Sequence, residues 1–245
     1  MLGLGNTLSG GIVPTAAAAY SNTYSIDFDG TNDYMISDSN ISSTEGTYQF
    51  WIKNSVVASI TPFYFETNWY FYMVSSGGNV LPWIIHPAGN KLYNSGSLLQ
   101  DGNWHHILWT VSGGTGVETA FAMYIDGSSV ATQTQTSTYS TPSAKLQIGH
   151  YGDGPCCRVT GNIDEVAIWD GVTLDADAVA QVYNSGAPID LKTNSGNYDN
   201  AGDLTHWWRM GDGDTHPTIE DNAGSNDMTM TNMASGDIEE DVPSA

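Results

Sequence analysis

Positive charge is what this chain of 245 residues most conspicuously lacks: six Lys plus Arg stand against 27 Asp plus Glu, for a formal net charge of −21. Binding to nucleic acid relies on clustered cations that displace the counterions of phosphate, so no nucleic-acid partner is expected. Cysteine is scarce as well. The two present, Cys156 and Cys157, are neighbours, a poor spacing for an ordinary disulfide, and they are expected to set no scaffold. No apolar run approaches the ~20 residues that cross a bilayer. No basic segment precedes an apolar one at the start, so neither a signal peptide nor membrane insertion is expected, and work outside a cell implies another route of release, such as lysis. Phrases of catalysis are missing too: there is no Gly-X-Ser-X-Gly, and the six histidines include no His-Glu-X-X-His.

What the chain does contain is alternation. In Trp104-His-His-Ile-Leu-Trp-Thr-Val111, His105, Ile107, Trp109 and Val111 share one face of a strand, and Trp104, His106, Leu108 and Thr110 share the other. Large rings on both faces suit an interior strand, packed on a core on one side and against a second layer or a binding groove on the other. Tyr48, Phe50 and Ile52 alternate with Gln49, Trp51 and Lys53, the pattern of a half-exposed antiparallel strand. Between Pro62 and Pro87, Phe63, Phe65, Trp69, Phe71 and Met73 are expected inward, with Tyr64, Tyr70 and Tyr72 outward. Rings with polar tips on a sheet face can stack on sugars or pack on a partner, and Tyr70, Tyr72, Trp83 and His86 are the candidate glycan- or partner-binding residues. Residues 1–20, rich in Gly and Ala with Pro14, carry too little apolar surface to fold alone and read as an arm. Of the 27 carboxylates, 17 lie from Gly161 onward, beside only Lys192 and Arg209; a solvated acidic surface is the first explanation and cation binding the second.

Three phrases carry a resemblance: Phe28-Asp-Gly leading to Asp33-Tyr34, Trp104-His-His followed by Tyr124-Ile-Asp-Gly, and Gly161-Asn-Ile-Asp-Glu-Val. Together they resemble the laminin-G-like branch of the concanavalin A-like jelly rolls, over about Tyr24 to Gly186. The resemblance implies an all-β, antiparallel two-sheet jelly-roll sandwich with one short helix near 175–185. Asp175 is the expected N-cap of that helix, Asp177 favours its dipole, Val179, Val182 and Tyr183 recur at helical spacing, and Gly186 is expected to close it. The implied organisation is an arm (1–20), a laminin-G-like body (21–188), a β extension packed on it (189–234) and an acidic tail (235–245).

Glycosidases of this fold place Glu, Asp and Glu at alternate positions of one strand. The matching positions here are Asn162, Asp164 and Val166, two of which cannot carry a proton, so hydrolysis is not expected. His105 and His106 point to opposite faces and cannot chelate one metal together. Laminin-G-like domains often bind calcium at the sheet rim. That resemblance implies Asp29 and Asp164 as ligands, with Asp33 as a third, all of the hard-oxygen type the ion requires.

The opening Met-Leu-Gly-Leu-Gly-Asn, the Gly/Ala arm and the phrase Leu204-Thr-His-Trp-Trp further resemble structural proteins of marine bacteriophages. The implied role is a non-catalytic virion protein: capsid decoration, tail or fibre component. Such a protein would dock on other virion proteins through its arm, oligomerise in the assembly and touch host-surface glycans. A free carbohydrate-binding lectin is the alternative, and a glycoside hydrolase the third reading.

Overall fold

Segments with bulky side chains at every second position become strands, because alternate residues of an extended chain reach the same face. In chain order the strands are β1 (Ser25–Asp29), β2 (Tyr34–Ile41), β3 (Gly46–Lys53), β4 (Ile60–Glu66), β5 (Trp69–Ser76), β6 (Asn79–Ile85), β7 (Lys91–Leu92) and β8 (Trp104–Ser112). They continue with β9 (Glu118–Ile125), β10 (Ser128–Thr136), β11 (Ala144–Ile148), β12 (Thr160–Asp170), β13 (His206–Trp208), β14 (Thr218–Ile219), β15 (Met228–Thr231) and β16 (Ile238–Glu239). The computed structural model describes residues 20–66, 68–76, 79–89, 91–92, 99–152, 154 and 156–245. The expected arm, apart from Tyr20, lies outside the described residues.

Among the described residues every strand pairing is antiparallel, and the strands form two sheets. The first runs β10-β9-β8-β3-β12-β1-β16 with β13 added beside β12; the second runs β14-β15-β2-β11-β4-β5-β6-β7. This is the two-sheet jelly-roll sandwich. The β9–β10 hairpin turns on Asp126 (φ 50°) and Gly127 (φ 71°), the two left-handed residues of a type I′ turn. A Cβ at Gly127 would stand 2.7 Å from the Tyr183 ring, so the turn and its packing both require glycine there.

Between the sheets the inward residues form one core. Trp109 stands at its middle, stacked on Tyr48 (5.3 Å between centroids) and Phe71 (5.2 Å), with the edge of Phe63 at 5.1 Å. Phe63, Phe65, Trp69, Phe71 and Met73 all point into this core, as their alternation predicts.

A second apolar layer covers the outside of the first sheet. The helix α1 (Ala176–Tyr183) begins where Asp175 accepts the Ala178 N–H at 2.9 Å, and it presses Val179 and Val182 onto Leu108, Ala167 and Trp169. It closes two residues earlier than expected: Asn184 takes the left-handed conformation and bonds back to the Ala180 carbonyl, while Gly186 ends a following 3-10 turn. This layer also corrects the reading of β3 as half-exposed. Gly46 to Ile52 are all buried, and the Trp51 ring packs against both His106 and Tyr183.

The residues beyond the helix complete both sheets. β13 pairs with β12, β15 with β2, and β16 with β1. Residues 235–245, expected as an acidic tail, are therefore laid against the body. Asp241 accepts from Lys53 Nζ at 2.6 Å and from Trp104 Nε1 at 3.0 Å.

Candidate functional site

The outer face of the second sheet carries a group of half-buried rings around Tyr64. Register places Tyr64 opposite Tyr70, and Tyr72 opposite Trp83, so the pleat brings their side chains to one side. Tyr151, from the loop after β11, closes the group: its ring lies 5.0 Å from Tyr70 and 5.1 Å from Tyr64. Burial, together with the hydroxyl of Tyr151, pushes the Tyr70 phenol up to about 12, so it stays protonated at neutral pH and can donate a hydrogen bond.

Among the described residues, Tyr70, Tyr72, Tyr151, Cys156 and Cys157 line a hollow of about 140 Å³. Those two cysteines are joined to each other, with Cα atoms 3.7 Å apart. The adjacency that rules out a scaffold between elements thus gives a local one: a tight loop with a sulfur face, 85 residues from Tyr72 in sequence. Larger than this hollow is a groove of about 420 Å³ between β8, β9, β10 and Leu174. Its lining is mostly hydroxyls and alanines, and its one aromatic residue, Phe121, belongs to the core, so it offers no ring for stacking.

Of the four candidate residues, Tyr70, Tyr72 and Trp83 are half-buried neighbours on this face, and His86 is not among them. His86 is buried, its Nε2 3.0 Å from the Thr44 carbonyl, its Nδ1 accepting from Ala88 N–H, and its ring packed on Trp69 and Phe121. The reason is parity. Positions 83 and 86 are an odd number apart, so an outward Trp83 leaves His86 inward.

A model of the concanavalin A-like lectin/glucanases superfamily matches residues 28–180. The chain belongs to that superfamily. Among solved structures, a putative carbohydrate binding protein from Bacteroides ovatus is similar at a TM-score of 0.66 and 17% identity, covering 92% of this chain and 62% of its own. A heptameric SAP-like pentraxin from Limulus polyphemus is similar at 0.56 and 18%, covering 66% and 82%. Domain 4 of AbnA, an extracellular arabinanase of Geobacillus stearothermophilus in complex with arabinotriose, is similar at 0.50 and 21%, covering 65% and 76%. At these identities the likeness is one of fold. Among curated proteins none matches the chain.

The superfamily holds lectins and glucanases, and hydrolysis of a glycosidic bond relies on paired carboxyls. β12 carries a bulge: the register jumps between Asp164, opposite Trp51, and Ala167, opposite Gln49, with Glu165 at φ 50°. One extra residue keeps Asp164 and Glu165 together on the outer face and sends Val166 into the core. The sequence reading missed Glu165, since strict alternation puts it opposite Asp164; only the bulge reverses it.

The pair is plugged. Asp164 accepts from Asn22 Nδ2 at 2.7 Å; Glu165 accepts from the Tyr20 hydroxyl and, at 2.6 Å, from Trp207 Nε1. Arg209 stands 3.9 Å from Glu165 and covers the Tyr20 ring at 4.7 Å. Both carboxyls are fully buried. Burial pushes Glu165 up to about 7, and burial together with the neighbouring Glu165 carboxylate pushes Asp164 well upward.

The calcium ligands implied by the family resemblance do not meet at one point. Asp29 pairs with Thr160, which leaves Asp164 four residues along β12, about 13 Å away. Asp29 caps the turn by accepting from Thr31 N–H at 2.6 Å, and Asp33 accepts from Asp29 N–H at 3.0 Å. Among the described residues no three His, Cys, Asp or Glu are grouped to hold an ion. His105 is held between Asp126 (2.8 Å) and Asp101 (3.2 Å), and His106 turns to Gln49, on the other side of the strand.

Proposed function

We propose that the protein is a non-catalytic carbohydrate-binding protein whose ligand lies on the outer face of the second sheet, over Tyr70, Tyr72, Tyr151 and Trp83. The observation that carries this is the grouping of half-exposed rings around a hollow whose lining, among the described residues, holds no charged side chain. Aromatic faces suit the C–H side of a sugar ring, and phenol hydroxyls suit its edge. The test is binding to an array of neutral oligosaccharides that includes arabinotriose. Tyr72→Ala and Trp83→Ala should each weaken the strongest interaction about tenfold, equivalent to ~1.4 kcal/mol, without lowering the melting temperature by more than a few degrees. Wild-type protein that binds no sugar on the array refutes the reading.

The absence of catalysis belongs to the same proposal. It is supported by the burial of Asp164 and Glu165 under Tyr20 and Asn22, where no substrate bond reaches them. Turnover of a β-glucan by the purified chain would overturn it. Calcium at the Asp29–Asp33 turn is a subsidiary proposal; calorimetry with calcium chloride on wild type and Asp33→Asn tests it, and absence of heat removes it.

For the setting, we propose a bacteriophage virion, with the protein decorating a capsid or forming part of a tail or fibre, oligomeric in the assembly and docked on other virion proteins by residues 1–20. Host-surface glycans would then be the ligand. The sequence phrases support this, as does the way the root of the arm is fastened: Arg209 Nη2 donates to the Ser21 carbonyl, and the Thr23 N–H donates to Asp212 at 2.9 Å. Mass spectrometry of purified particles should find the chain, with an arm resistant to protease only when assembled. A chain recovered only as free protein refutes the setting.

A further inference from the structure

Cys156 and Cys157 are the only cysteines of the chain; they are bonded to each other, and both line the tyrosine hollow. We propose, resting on the carbohydrate-binding reading above, that this disulfide is itself a ligand-contacting surface and that the site holds its sugar only while the bond is intact.

The geometry points there in three ways. Neighbouring residues of an extended chain aim their side chains to opposite sides, whereas a bond between adjacent cysteines holds both on one side. Two sulfurs and two β-carbons then make a single polarizable apolar face, the kind of surface that packs well on rings. The face meets the tyrosines: Cys157 Sγ lies 3.6 Å from the Tyr72 hydroxyl oxygen.

The bond also fixes the backbone. Cys157 sits at φ 68°, a left-handed conformation that residues with a Cβ avoid. Its carbonyl accepts the Thr61 N–H at 2.8 Å and so ties the loop to β4, the strand that carries Tyr64. Finally, the hollow is small. About 140 Å³ is well below the ~300–1,000 Å³ of sites for drug-sized ligands, which leaves room for one neutral sugar ring and makes each wall count.

Reduction removes one wall. A dithiol reductant breaks the S–S bond, two electrons and two protons end on the cysteine sulfurs, and the reductant becomes the disulfide. Cys157 is then free to leave the left-handed region, and the two thiols separate.

The experiment uses the full chain in three forms: oxidised, with no thiol detected by titration; reduced under excess dithiol, with two; and the double variant Cys156→Ser, Cys157→Gly. Glycine accepts φ 68° without a Cβ, so this variant keeps the turn and deletes the sulfur face even if reduction loosens the loop. Each form is tested on the neutral oligosaccharide array, and by calorimetry on the oligosaccharide that the oxidised form binds best. The expected result is binding by the oxidised form, at least tenfold weaker binding by the reduced form and by the variant, and recovery on reoxidation. Equal affinity of oxidised and reduced protein, or wild-type affinity in the double variant, overturns this inference and leaves the carbohydrate-binding reading standing. No binding by the oxidised form to any sugar on the array removes both.

Discussion

Glu165→Gln is the substitution whose consequence follows most directly from the structure. The folded protein holds this carboxyl with no exposure to water, so burial raises it from the ordinary 4.5 to about 7, against the lowering contributions of Tyr20, Arg209 and Trp207. A group raised in the folded state binds its proton more tightly there than in the unfolded chain, so its contribution is most favourable below pH 4.5 and is lost as pH rises to about 7. At ~1.4 kcal/mol per pH unit, the displacement amounts to roughly 3 kcal/mol, an upper figure because Asp164 titrates with it. Glutamine has nearly the same shape and one carbonyl oxygen to accept from Trp207 or Tyr20, and it does not titrate. Urea unfolding at pH 5, 6, 7 and 8 measures both proteins. Other groups titrate in both, so the quantity that matters is the difference. Relative to wild type, Glu165→Gln should gain on the order of 2–3 kcal/mol between pH 5 and pH 8. A difference that stays constant across this range refutes the account of Glu165 as a carboxyl kept above its ordinary range by burial.

Three further outcomes are expected. Tyr20→Phe removes a hydroxyl that holds Glu165 down, so the wild-type loss of stability should extend to higher pH, read in the same unfolding series. Asp175→Ala deletes the cap on the Ala178 N–H and should cost ~1 kcal/mol of unfolding free energy, with sugar binding unchanged. Trp109→Ala empties the centre of the core and should cost ~3–5 kcal/mol by denaturant titration, far more than any change on the tyrosine face.

Much of the fold is legible in sequence because its determinants are local. The Trp104–Val111 alternation places Trp109 in the core and Leu108 under the helix; Asp126-Gly127 makes its turn; Asp175 caps its helix. The candidate site is legible in part. Tyr70, Tyr72 and Trp83 follow from period two, and His86 fails by the same rule once position 83 is taken as outward. Glu165 could not be found this way, because a bulge is one added residue in a register that only the partner strand reveals.

By itself the sequence determined which residues alternate, where chain reversals fall and how the helix begins, since each depends on contacts within a few residues. Tertiary structure alone decided what covers each face. It brought Cys156 and Cys157 against tyrosines from β5, plugged the acid pair with Tyr20 and Asn22, and laid the last residues beside β1. Those outcomes come from pairings between strands and segments far apart in the chain, whose partners are selected by burial of the whole apolar surface and leave no mark at short range.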